Sequence, residues 1–135
     1  MNSGFEEQAG VVAIGVDILD ASRITKVLAR HDQRFVQRIL TPSEQLVFQN
    51  RSNKANYLAK QYAAKEALAK ALGTGIAKGV GFQQIEVLRD EQGAPKVTLH
   101  AQAAIRMNEL GAKRALLSLS DEGVHIVAFA MLSRT

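Results

Sequence analysis

Cysteine is absent from the 135 residues, which excludes a disulfide scaffold, a thiolate metal site and a thiol nucleophile, and is compatible with a reducing cytoplasm. Tryptophan is missing too. Only two tyrosines and five phenylalanines are present, none interleaved among the basic residues, so the stacking platforms that hold single-stranded nucleic acid are poorly represented. Three histidines without HxxxH or HxH spacing argue against a histidine metal site. Met1 to Gln8 carries no basic run, and the apolar stretch after it is broken by Asp17, too early for a signal peptide or membrane span. A soluble, cytoplasmic protein is expected. The two prolines stand at element boundaries, and no repeat, low-complexity tract or interdomain linker divides the chain. One domain is the simplest reading. The net charge of +4 favours an anionic partner, whether nucleic acid, membrane, nucleotide cofactor or acidic protein.

What is present is a set of local signals. Val11 to Leu19 reads as a strand buried on both faces. Asp20 can cap a helix through about Ala29, and Thr41-Pro42-Ser43-Glu44 is a capping box with proline at N1, opening a helix to about Arg51. A long helix carries Tyr57 to Leu72 and runs into the glycine-flanked turn Gly73-Thr74-Gly75. Residues 82 to 90 and 96 to 100 read as strands joined by a turn at Asp90 to Pro95. Ala101 to Leu110 has helical spacing and is followed by Gly111. Residues 113 to 120 and 124 to 132 alternate as a hairpin around Asp121-Glu122-Gly123. The class is α+β, an antiparallel sheet packed against a long helix.

Chemistry concentrates in the long helix. On a helical wheel Tyr57, Leu58, Tyr62, Leu68 and Leu72 share a bulky apolar face, whereas Glu66 and Lys70 lie beside the small Ala59, Ala63 and Ala67. Lys65 projects inside the apolar sector, where it must snorkel or meet a buried anion. Two readings stand side by side. Glu66 and Lys70 form an ordinary i,i+4 ion pair, with Gly73 as the helix C′ residue; or Glu66 and Asp17 hold Mg²⁺, which takes one or two carboxylates with waters and phosphate oxygens. Asp17 could instead cap the first helix. In that helix Ile24, Val27, Leu28 and His31 share one face, and Arg23, Lys26 and Arg30 line another. That stripe is either solvated or a dock for an acidic helix.

Two motifs resemble the holo-acyl-carrier-protein synthases, the small bacterial class of 4′-phosphopantetheinyl transferases. One is Gly15-Val16-Asp17-Ile18. The other is Lys65-Glu66-Ala67, three residues, then Lys70-Ala71-Leu72-Gly73-Thr74-Gly75-Ile76. The resemblance runs from about Val12 to Leu132. It implies an N-terminal extension at residues 1–10, a 4′-phosphopantetheinyl transferase domain at 11–135 with the fold of that name, and a homotrimer with interfacial active sites. The reaction implied moves the 4′-phosphopantetheine arm of coenzyme A onto a serine of apo-acyl carrier protein in fatty acid biosynthesis, with magnesium as cofactor.

The resemblance also implies roles. Asp17 and Glu66 hold Mg²⁺, and the serine proton goes to Glu66 or to a water on the metal. Lys70 stabilises phosphate charge, Lys65 holds the phosphates of CoA as a point charge, and the amides of Gly73, Thr74 and Gly75 add donors. Gly93, Pro95 and Ser120 border the nucleotide, while Arg23, Lys26 and Arg30 meet the acyl carrier protein. Two positions depart from the family: Gln61 stands where many members have arginine, and Asp121 where many have histidine. A direct phosphate contact is then either missing or supplied by Lys54 or Lys60. The second motif is not a Walker A loop, so an NTPase has little support. The competing class is a non-enzymatic basic module on nucleic acid; neither nucleic acid nor membrane is the expected partner.

Overall fold

The computed structural model describes residues 10–135, so the proposed extension lies outside the described residues except for Gly10; of His31 and Asp32 it describes the backbone. The chain begins with strand β1 (Val11–Asp20), followed by helix α1 (Ala21–Ile39), α2 (Pro42–Gln49) and α3 (Lys54–Ala71). A single 3₁₀ turn (Phe82–Gln84) leads into β2 (Ile85–Arg89) and β3 (Pro95–Leu99). Helix α4 (Ala101–Glu109) and the hairpin β4 (Arg114–Glu122) and β5 (His125–Ser133) complete the chain.

Local chemistry accounts for most boundaries. The Asp20 carboxylate accepts the Ser22 amide at 2.9 Å and caps α1. At α2 both halves of the capping box form: the Glu44 amide donates to Thr41 Oγ1 at 3.3 Å, and the Thr41 amide donates to Glu44 Oε1 at 2.8 Å. Helix α1 continues ten residues past the expected end at Ala29. Beyond the polar run from Arg30 to Arg34, Phe35, Val36 and Ile39 resume the apolar period and pack on the core. The helix stops where Leu40 turns extended, just ahead of Thr41, whose conformation Pro42 restricts. Phe82–Gln84 also differs from expectation, forming a turn closed by the Gln84 amide on the Gly81 carbonyl at 3.1 Å, so the strand starts only at Ile85.

β1, β5 and β4 form one antiparallel sheet in that order, with β2 and β3 as a separate hairpin. α3 lies across β1 and β5 and is the centre of the core, with Leu58, Ala63, Ala67, Leu68 and Leu72 fully buried. The contact is close because Gly15 has no side chain. A Cβ there would stand 2.1 Å from the Ala67 carbonyl oxygen and 2.7 Å from the Ala71 nitrogen. The alanine side of α3 is therefore consumed by the chain's own sheet.

Alternation along β1 turns Gly15, Asp17 and Leu19 toward α3 and Ile14, Val16 and Ile18 away from it. Expected burial on both faces does not hold within one chain: Ile18 is 67% exposed, and Val16, Leu116 and Phe129 are open beside it. One face of the sheet is covered and the other is a bare apolar surface.

Candidate active site

Strand parity and helix phase bring Asp17, Glu66 and Lys70 together. Lys70 Nζ donates to Asp17 Oδ1 at 3.1 Å and to the Val16 carbonyl at 3.0 Å. Asp17 is not the helix cap, since Asp20 fills that role, and the ion pair of Lys70 is with Asp17 rather than Glu66. Glu66 is partly buried. Burial pushes its carboxyl pKa up, the neighbouring negative charge of Asp17 pushes it further, and a hydrogen bond from the Tyr62 hydroxyl and the charge of Lys70 oppose the rise. Two carboxylates that repel each other, with an ammonium paired to one of them, form an electrostatically unsettled cluster. Among the described residues no group of three or more His, Cys, Asp or Glu side chains forms a metal cage. The candidate ligands are the pair alone.

Glu66 opens into a cavity of about 240 Å³ walled by Phe35, Ile39, Tyr62, Ile76 and Phe82, with Arg38 at its edge. The Tyr62 ring lies 6.1 Å from Phe35 and 5.5 Å from Phe82, centroid to centroid. Burial, then the Glu66 charge, raises the Tyr62 hydroxyl pKa, and the positive charge of Arg23 pulls it back. Arg23 thus reaches the cluster electrostatically. Sequence reasoning missed Phe35, Arg38 and Phe82. The available signal was the return of apolar residues at Phe35, Val36 and Ile39 after the charged run.

Several expected contacts fall elsewhere. Lys65 has no exposure at all: its ammonium is 2.6 Å from Glu44 Oε1, 2.6 Å from the Ile39 carbonyl and 3.1 Å from the Phe82 carbonyl. Three acceptors saturate the amine, and burial lowers its pKa, so a direct grip on phosphate is replaced by an internal one. The backbone donors foreseen at Gly73, Thr74 and Gly75 are likewise spent. Their amides donate to the carbonyls of Lys70 and Ala69 at the end of α3, with Gly73 in the left-handed conformation that closes the helix.

Ser120 stands on the outer face of β4, paired with Val127, which is paired with Ile18 on that same bare surface. Gly93 is at the exposed tip of the β2–β3 turn. Pro95 lines a cleft of about 460 Å³ with Lys96, Lys113 and Arg114, and that cleft shares no residue with the Glu66 cavity. Within one chain Ser120, Gly93 and Pro95 are not assembled with the carboxylates. Arg23, Lys26 and Arg30 are all exposed along α1.

The two departures from the family pattern are absorbed locally. Gln61 is buried and donates from Nε2 to the Val87 carbonyl at 3.0 Å. Asp121 pairs with Lys60 at 3.4 Å, and that hydrogen bond and charge hold its carboxyl below the usual range. Lys60 is engaged there, and Lys54 donates to the Arg51 carbonyl at 2.9 Å.

Comparison with known proteins places this geometry. Residues 13–128 match the model of the 4′-phosphopantetheinyl transferase superfamily. The holo-[acyl-carrier-protein] synthase of Halorhodospira halophila is 46% identical over 122 residues, covering 90% of this chain and 97% of that protein. The crystal structure of the Neisseria meningitidis holo-[acyl-carrier-protein] synthase superposes with a TM-score of 0.83 at 40% identity, over 91% of this chain and 98% of that one. A Bacillus anthracis holo-(acyl-carrier-protein) synthase solved in complex with CoA (3′,5′-ADP) gives a TM-score of 0.77 at 35% identity, over 93% and 98% of the two chains. The motifs around Asp17 and Glu66, the α+β fold that brings them together and these likenesses over nearly the whole length agree: the chain belongs to the 4′-phosphopantetheinyl transferase superfamily and, within it, to the holo-[acyl-carrier-protein] synthases.

Proposed function

We propose that residues 11–135 transfer the 4′-phosphopantetheine group of coenzyme A to a serine of an apo-acyl carrier protein, releasing adenosine 3′,5′-bisphosphate. The observation that carries this reading is the Asp17, Glu66 and Lys70 cluster, whose Glu66 lines a cavity with aromatic walls. A cavity with aromatic walls and the polar groups of Glu66 and Arg38 in its lining suits an arm that carries amides and ends in a phosphate.

Asp17 and Glu66 fit a divalent cation. Their mutual repulsion is what such an ion relieves, and a pair of carboxylates leaves the remaining positions to water and phosphate oxygens, as Mg²⁺ prefers. Bound there, magnesium supplies charge neutralisation at the pyrophosphate. The chain's own residues do the rest. Glu66, whose proton affinity is raised by burial and by Asp17, is suited to take the serine proton as its oxygen attacks phosphorus. Lys70, half exposed and held by a solvated pair and the Val16 carbonyl, can turn from Asp17 to the phosphate oxygens as charge builds in the transition state.

The bare face of the sheet supports a homotrimer with sites between chains. Ile14, Val16, Ile18 and Phe129 make an apolar surface of the kind a partner covers. Ser120 belongs to that face, and a neighbouring chain is what would bring it, with Pro95, to a nucleotide held at Glu66. Arg23, Lys26 and Arg30, exposed along α1, are the docking surface for the acidic carrier protein.

The test is the intact mass of apo-acyl carrier protein incubated with the protein, CoA and Mg²⁺. A gain of about 340 Da that disappears with EDTA and with Glu66→Ala is expected. No gain with several carrier proteins would overturn the reading.

A further inference from the structure

The buried pair Glu44 and Lys65 takes no part in the chemistry proposed above, although it sits one residue from Glu66. Withdrawing two ions from water is costly, and apolar side chains of equal volume often serve stability as well. The connections the pair makes are therefore more informative than its attraction. Lys65 draws the carbonyls of Ile39, the last residue of α1, and Phe82, in the 3₁₀ turn, onto α3. Glu44 accepts the Thr41 amide through Oε1 and the Val87 amide through Oε2, at 2.8 and 2.6 Å. Four segments are thus tied to the helix that carries Glu66.

Two of the tied residues, Ile39 and Phe82, are walls of the Glu66 cavity. Without the ammonium the Ile39 carbonyl would lose its donor and the Phe82 carbonyl would keep only the Ile85 amide, so the wall at Ile39 would have to move until it found water or another donor. We propose that Glu44, acting through Lys65, is a positioning residue that sets the walls of the Glu66 cavity, and so the placement of the CoA arm against Glu66. The inference rests on the transferase reading. It assigns to Glu44 and Lys65 a task that neither contact with substrate nor stability alone describes.

Glu44→Gln, Lys65→Met and the double variant, assayed beside wild type in the carrier-protein transfer reaction with activity counted per folded molecule, test it. Misplacement of the arm should lower kcat/KM for CoA about 100-fold in all three. The KM for carrier protein should stay within about twofold, because its docking stripe lies on the exposed face of α1. The double variant, free of an uncompensated charge, should regain thermal stability over the single variants without regaining kcat/KM for CoA. A folded double variant with wild-type kinetics would overturn the inference alone. One that does not fold would assign the pair to stability and overturn it equally. A wild-type protein that transfers nothing would overturn the transferase reading, and the inference with it.

Discussion

Two lysines five positions apart on α3 each face a carboxylate, and they have opposite characters. Lys65 and Glu44 meet at 2.6 Å with neither side chain exposed; Lys70 and Asp17 meet at 3.1 Å with 51% and 16% exposure. Five residues turn the helix about 140° beyond a full circle, which puts one pair toward α2 and β2 and the other toward the α3-facing side of β1 at Asp17. Water decides the difference. The dry pair has every donor and acceptor satisfied inside the protein, so it can fix backbone but cannot exchange partners. The wet pair contributes little to stability and is free to let go. The same two residue types thus supply a fixed joint and a site that can accept a ligand.

Removing one partner from each pair should separate the two roles. Lys65→Ala leaves the Glu44 carboxylate buried and uncompensated, and chemical denaturation should show a loss of about 3–5 kcal/mol. Lys70→Ala should move stability by no more than about 1 kcal/mol, yet lower the rate of transfer about 100- to 1,000-fold, as loss of a donor to developing charge does. A Lys70→Ala protein that transfers normally would remove Lys70 from the chemistry. Equal stability losses in the two variants would erase the comparison.

A smaller loss should follow from parting the wet pair without touching either residue. Gly15→Ala forces a methyl against the Ala67 carbonyl, and neither backbone can yield cheaply because α3 lies directly on β1. Overpacking of this kind costs about 3 kcal/mol. Its thermal midpoint should fall, and transfer should fall with it as Asp17 is pushed from Lys70 and Glu66. Unchanged melting would contradict the close approach of strand and helix.

Elements with local signals were legible in the sequence: the Asp20 cap, the Thr41 capping box, the turns at Asp90 to Pro95 and Gly123. Helix α1 was legible only in its first half, because its second half is sustained by packing of Phe35 and Ile39 on the core and not by an unbroken apolar period. Lys65 announced itself as misplaced, and a buried anion was one of two outcomes; its partner, 21 residues away, was visible only as half of a capping box. The outer face of β1 misled for a different reason. An apolar strand reads the same whether its own chain or another covers it. Asp17 and Glu66 were legible as a pair because each is a carboxylate inside one of the two family motifs, whereas Ser120 stands on the opposite face of the sheet and does not join them in one chain.

The smallest expected effect concerns charge stored in the wet cluster. The carboxyl of Glu66 titrates above its ordinary value of 4.5, first through burial and then through Asp17. Over the interval between those two values the folded protein holds more of this proton than the unfolded chain, so stability declines as pH rises through it. Below the interval there is no penalty, and above it the penalty is constant. Glu66→Gln cannot ionise and should escape the decline, so in EDTA the melting temperatures of wild type and variant should diverge as pH rises above the ordinary value of 4.5, with the variant higher once the carboxyl has ionised. The gap should be small, since Glu66 is only partly buried and solvent screens the repulsion. Mg²⁺ should narrow it at neutral pH by answering the repulsion directly. A gap that does not change with pH would mean that Glu66 feels neither burial nor Asp17, and the contrast between a settled dry pair and an unsettled wet one would fail.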